Sequence, residues 1–105
     1  MARDTLGELE QLVLLAVLRV GPGAYGVPVV DEIEDRAERD VAPASVYVTL
    51  RRLERKGLVR SRLEENATGR PRRFVEVTSD GLALLRTTRR GMLRMWDGLE
   101  PVLGE

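Results

Sequence analysis

The chain has 105 residues, 43% of them hydrophobic and 32% charged, a size and composition that fit one folded domain and exclude a disordered chain. It contains neither Cys nor His, which excludes disulfides, thiolate or imidazole metal sites, and Ser-His or Cys-His catalysis. The formal net charge is zero, from 17 basic and 17 acidic residues, so bulk charge alone names no anionic partner.

The first periodic segment runs from Leu6 to Val20, with Leu6, Leu9, Val13, Ala16, Val17 and Val20 at helical spacing. Leu14, Leu15 and Leu18 add a second apolar face, and a helix apolar nearly all round is buried on more than one side. In so small a chain that second face is expected to pack on another subunit. The longest apolar run, Leu12 to Leu18, is too short to cross a bilayer and follows no signal peptide, so a cytoplasmic protein is expected. Gly21, Pro22 and Gly23 stop the helix.

A second helix is predicted from about Gly26, with Pro28 in its first turn, where the missing N–H does no harm. Val29, Val30, Ile33 and Ala37 face inward; Asp31, Glu32, Glu34, Asp35 and Glu38 form a solvated face rather than a catalytic or metal cluster. Pro43 opens a third helix to Lys56, stopped by Gly57. Val46, Leu50 and Leu53 line its inner face. Ser45, Tyr47, Val48, Thr49, Arg51, Arg52 and Arg55 are left outside, a mixture of hydroxyls, a small apolar side chain and guanidinium groups that suits phosphates and base edges.

Leu58 to Leu63 and Arg72 to Val77 read as two strands of a hairpin around a loop from Glu64 to Pro71. Arg70, Arg72 and Arg73 stand at the loop and its exit. Thr78 is the predicted N-cap of a last helix. There Leu82, Leu85, Met92, Trp96, Leu99 and Leu103 alternate by threes and fours, broken once at Arg89, as in a short coiled-coil seam. Gly91 and Gly98 are places where another helix can approach, and Pro101 is expected to end or kink the helix near Glu100.

The zero net charge hides a segregation. Residues 43–73 carry nine basic residues against three acidic, whereas residues 1–42 carry nine acidic against four basic. Lys56 is the only lysine in the chain, so the basic block is nearly all Arg, which forks onto phosphate oxygens and guanine edges. The order helix, helix, helix, hairpin, helix, with arginines on the third helix and the hairpin, predicts a mainly α fold with a small β-hairpin. It is the layout of a winged helix-turn-helix domain over residues 1–78 and a C-terminal dimerisation helix over residues 79–105. A helix fits the DNA major groove, and a basic hairpin reaches phosphates or the neighbouring minor groove.

The residues themselves resemble a known family. Leu6-Gly7-Glu8-Leu9-Glu10, Tyr25-Gly26, the run from Val46 to Val59 and Gly69-Arg70-Pro71-Arg72-Arg73-Phe74, closed by Val77-Thr78-Ser79-Asp80-Gly81, are similar to PadR-type repressors over residues 6–90. The spacing of Tyr47, Leu50, Leu53, Glu54, Gly57 and Leu58 carries most of the likeness. Val75 stands where that family often has a second aromatic, and Pro28 where it commonly has a longer side chain. The resemblance implies a dimeric bacterial transcription factor, usually a repressor released by a small molecule, with a C-terminal helix serving dimerisation.

On this reading the DNA-binding residues are Ser45, Tyr47, Val48, Thr49, Arg51, Arg52, Arg55, Arg70, Arg72 and Arg73. Ser45, Val48, Thr49 and Arg52 are the base-edge candidates, and Arg51 and Arg55 are placed on phosphates. Tyr47 either donates its hydroxyl to a phosphate, the role the resemblance implies, or packs between helices. Leu14, Leu18, Leu85, Met92, Met95, Trp96 and Leu99 are placed at a dimer interface or ligand pocket, where Trp96 either stacks a planar ligand or only packs. The partners expected are a near-palindromic double-stranded operator, a second copy of the chain and a small apolar or planar inducer, without cofactor, metal or membrane. A winged-helix module that binds protein instead of DNA is the alternative; nothing points to an enzyme.

Overall fold

The structure, a computed structural model, describes residues 5–65 and 69–105. Helix α1 (Glu8–Val20) begins after Gly7, whose N–H donates to the Glu10 carboxylate at 2.9 Å, half of a capping box. It ends at Gly21, where a positive φ of 82° turns the chain into a single 3-10 turn, Gly21–Gly23. Helix α2 (Gly26–Ala37) starts where predicted, with Pro28 inside its first turn. Helix α3 (Pro43–Arg55) follows after the connection 38–42, and the Gly57 and Leu58 amides return to the Glu54 and Leu53 carbonyls around a left-handed Gly57.

Strands β1 (Val59–Glu65) and β2 (Pro71–Val77) pair antiparallel, from Val59 opposite Val77 to Glu65 opposite Pro71. Both are longer than the alternation suggested, because cross-strand pairing carries Glu64, Glu65 and Pro71 into the ladder. The predicted loop residues 66–68 lie outside the described residues. Helix α4 (Ser79–Trp96) is capped by Thr78, whose Oγ1 accepts from the Gly81 N–H at 3.1 Å and donates to the Gly57 carbonyl at 2.7 Å. One side chain thus caps α4 and ties it to the end of α3.

Pro101 does not end α4. The helix stops at Trp96, Asp97 is extended, Gly98 takes a φ of 83°, and Pro101 sits in the first turn of a short helix α5 (Glu100–Leu103). Leu99 and Leu103 therefore do not continue the seam on one helix. A proline tolerated in a first turn and a glycine free to take positive φ explain the difference.

The core is a three-helix cluster closed by the base of the hairpin. Val13, Leu14, Ala16 and Val17 of α1 meet Val29, Val30 and Ile33 of α2, Val46, Leu50 and Leu53 of α3, and Leu58, Val59 and Val75. Burying a side chain such as Leu14 or Leu53 contributes about 2–3 kcal/mol. Val75, where an aromatic was the family habit, fills the core, and its N–H donates to the Ala24 carbonyl at 2.9 Å. That bond fastens the hairpin to the turn before α2. Ala37, predicted inward, is exposed, because α2 runs past the edge of the core at its last residue.

Glu10 is the one buried acid among the described residues. Burial pushes its carboxyl pKa up, but hydrogen bonds from Lys56 Nζ at 2.9 Å and the Gly7 amide, with the charges of Lys56 and Arg52, hold it below the ordinary value. A lowered carboxyl pKa stabilises the fold above the unfolded value near 4.5, and that stability disappears as pH falls through the folded value. Glu10→Gln is thus expected to lose about 2 kcal/mol at pH 7. The gap to the parent protein should close as pH falls from the unfolded value through the lowered folded one, as urea midpoints across pH will show; a gap independent of pH would remove the ionic role.

Candidate nucleic-acid interface

Helix α3 turns one stripe to the core and the rest to solvent. Ala44, Ser45, Tyr47, Val48, Arg51, Arg52 and Arg55 are all exposed. Arg51, Arg52 and Arg55 make no ion pair among the described residues. This contrasts with the other cations nearby: Lys56 is taken by Glu10, Arg60 by Glu76 at 2.7 Å, Arg62 by Glu64 at 2.9 Å and Arg39 by Glu8. Three guanidinium groups on one helix face thus stay clear of direct ion pairs, although the Arg52 charge also acts on Glu10 from a distance, and together they make the face electropositive.

Thr49 does not belong to that surface. It is 2% exposed, and its hydroxyl donates to the Ser45 carbonyl at 2.7 Å. It lies three residues after Val46 and four before Leu53, which puts it inside the buried stripe. Ala44 is exposed instead, one turn before Val48.

Tyr47 is partly exposed, with its ring laid against Gly26. A Cβ at Gly26 would stand 1.9 Å from the Tyr47 ring and 2.8 Å from its hydroxyl, so the glycine at the start of α2 makes room for the tyrosine. Tyr47, Gly26, Tyr25, Leu50, Arg51, Glu54, Arg73 and Val75 line a groove of about 540 Å³ between α3 and the hairpin. Its lining is mostly apolar, with the charges of Arg51, Arg73 and Glu54.

The two faces of the hairpin hold their arginines differently. On the outer face the Arg72 guanidinium stacks 4.2 Å over the Tyr25 ring. Tyr25 meets Phe74 edge-on at 5.9 Å, and Arg62 covers Phe74 at 5.2 Å. Stacking uses the face of a guanidinium and leaves its in-plane N–H groups as donors. On the face towards α3, Arg73 Nη1 donates to Ser61 Oγ at 2.9 Å, and Ser61 Oγ donates to Glu54 Oε2 at 2.7 Å. Arg70 is exposed at the start of the returning strand. Nothing local in the sequence marks Tyr25, Gly26 and Ser61 as site residues beyond the Tyr25-Gly26 dipeptide, because their partners are distant in sequence.

A second surface lies across α1 and α4. Leu15, Leu18, Leu82, Leu85, Met92, Leu93 and Trp96 line an apolar groove of about 500 Å³, edged by Gln11, Arg86, Thr88 and Arg89. Met95 and Leu99 are exposed close by in sequence, beyond the groove. Leu14 does not reach this surface: it is fully buried in the protomer's own core, because it shares a stripe with Glu10 and Val17, and Leu15 stands beside Leu18 instead. Among the described residues no group of acids is placed to hold a metal, and no helix is long and apolar enough to cross a membrane.

The family model for transcriptional regulators of the PadR-like family matches residues 14–87. Among solved structures, a PadR family transcription regulator from Clostridium difficile R20291 aligns with a TM-score of 0.75 at 20% identity, covering 94% of this chain and 100% of that one. A PadR-like transcriptional regulator from Bacillus cereus aligns at 0.75 and 20% identity, over 92% of each chain. A PadR family transcriptional regulator from Eggerthella lenta aligns at 0.72 and 28% identity, over 91% of this chain and 86% of that one. No curated protein sequence matches the chain.

Proposed function

Because the chain belongs to the PadR-like family of transcriptional regulators, we propose that it works as a cytoplasmic homodimeric repressor that binds a near-palindromic operator and is released by a small apolar or planar molecule. The observation that carries the DNA-binding part is the set of exposed arginines on α3, Arg51, Arg52 and Arg55, which form no ion pair among the described residues. In this reading α3 enters the major groove. Ala44, Ser45, Val48 and Arg52 face base edges. Tyr47, Arg51 and Arg55 hold phosphates, and Arg70, Arg72 and Arg73 bring the hairpin onto the backbone beside it.

The dimer is supported by the bare side of α4. Met92, Leu93, Met95 and Trp96 are all about half exposed or more, and the radius of gyration is 15.5 Å where a compact chain of this length has about 13 Å. A second protomer covering the α1–α4 face would bury that surface and set the two α3 helices about 10 bp apart on DNA. An inducer in the groove beside Trp96 acts only if it binds the two head arrangements with unequal affinity.

Fluorescence anisotropy on the protein's own upstream DNA and on a scrambled duplex, from about 50 to about 300 mM salt, tests the reading. The expected result is a preference of about a thousandfold or more with a steep salt dependence. Arg52→Ala should lose about 1–3 kcal/mol of discrimination at one base position, whereas a uniform loss over all operator variants would make Arg52 a phosphate contact. No binding to either duplex at low salt would favour the protein-interaction module.

A further inference from the structure

We propose that Ser61 is a positioning residue whose hydroxyl acts as a spacer, holding Arg73 over the groove beside Arg51 and keeping it from pairing directly with Glu54. The inference rests on the DNA-binding reading above and adds to it a residue that touches no DNA itself.

The geometry is a three-residue chain across three elements. Glu54 comes from α3, Ser61 from β1 and Arg73 from β2. Ser61 pairs with Val75 across the hairpin, so Arg73, two residues before Val75, is its diagonal neighbour on the same face. The Leu63 side chain, directly opposite Arg73, has no hydrogen-bonding group. Among the described residues, Ser61 is the one hydrogen-bond partner of the Arg73 side chain.

A hydroxyl has one proton to give and lone pairs to accept with. Ser61 gives its proton to Glu54 and accepts from Arg73, which orders the groups as carboxylate, hydroxyl, guanidinium. The carboxylate polarises the hydroxyl and makes it a better acceptor. Arg73 is fixed by one of its five N–H groups, and the remaining donors stay available for a phosphate. Glu54, Arg51 and Arg73 line the same groove. Without the hydroxyl, Arg73 and Glu54 are free to form an ion pair, which would draw the guanidinium towards α3 and cancel the charge a phosphate needs. The acid of α3 therefore orients the hairpin arginine without neutralising it, and the hairpin is set at a fixed angle to the recognition helix.

The test compares the parent protein with Ser61→Ala, Ser61→Thr, Arg73→Ala and the Ser61→Ala/Arg73→Ala double variant on the protein's own upstream duplex. Ser61→Ala is expected to lose about tenfold in affinity, with a log–log salt slope shallower by about 0.9, one phosphate contact, and an unchanged melting temperature. Ser61→Thr keeps the hydroxyl and is expected to bind as the parent does. Arg73→Ala should lose as much as Ser61→Ala, and the double variant no more than either. Parent-like affinity and slope in Ser61→Ala, a loss in Ser61→Thr, or additive losses in the double variant would each overturn the proposal. A crystal structure of free Ser61→Ala supplies a test independent of DNA. Arg73 paired directly with Glu54 is the expected result, and Arg73 still apart from Glu54 would overturn the spacer role. If the parent protein shows no preference for its own DNA, the DNA-binding reading fails by itself, and the crystal structure alone judges Ser61.

Discussion

Replacing Gly81 by valine is expected to lower the melting temperature by about 10–20 °C, from a loss of about 3 kcal/mol. Gly81 is buried in the first turn of α4, and a Cβ there would stand 2.3 Å from the Leu58 carbonyl oxygen and 2.7 Å from Val77 Cγ1. The first of these is backbone at the junction of α3 and the hairpin, where the Leu58 carbonyl already accepts the Thr78 amide at 3.0 Å. It cannot yield without breaking that bond and the Thr78 cap. A better helix former at position 81 recovers at most about 1 kcal/mol, so the clash dominates. Thermal denaturation at fixed protein concentration measures the effect. An unchanged midpoint would mean that α4 does not dock on Leu58.

Met92→Asp is expected to have the largest effect on assembly. Met92 lines the apolar groove between α1 and α4 with Leu15, Leu18 and Trp96, and it is about half exposed in the protomer, so the protomer itself tolerates a charge there. In the proposed two-fold dimer the new carboxylate is desolvated twice, at a cost of several kcal/mol that Arg86 and Arg89 at the groove's edge offset only in part. Sedimentation at micromolar concentration should then show monomers. Operator affinity should fall about a thousandfold, towards that of a single half-site with mostly non-specific contacts. A variant that remains a dimer and binds DNA as the parent does would place the subunit interface elsewhere.

Much of the fold was legible because it is local. The apolar spacing of Val46, Leu50 and Leu53, Pro43 as a start, Gly57 as a stop and Thr78 as a cap each act within a turn or two of chain, and each appears where the sequence places it. The errors occur where a residue had to be assigned to one of two apolar stripes on a helix. Leu14 and Thr49 both lie at the spacing of the core stripe. An α1 apolar nearly all round gives Leu14 no distinct phase, and the Thr49 hydroxyl suits a contact surface as well as a bond to its own helix. Ala37 differs for another reason, since periodicity does not say where a core ends.

The candidate site divides in the same way. The charge block over residues 43–73 and the arginines of α3 are properties of composition and helical phase, and the sequence alone determined them, along with the winged-helix order of elements and the lack of any His or Cys chemistry. Only the tertiary structure decided which cations are already committed. Lys56 is held by Glu10, 46 residues away, Arg72 lies over Tyr25, and Arg73 reaches Glu54 through Ser61. It also decided that Gly26 and Gly81 are glycines for the sake of neighbours, Tyr47 and Leu58, that no local pattern reveals. The physical reason is range: propensity, capping and amphipathic phase act between residues a few positions apart, whereas pairing of charges and close packing depend on which distant segments the fold brings together.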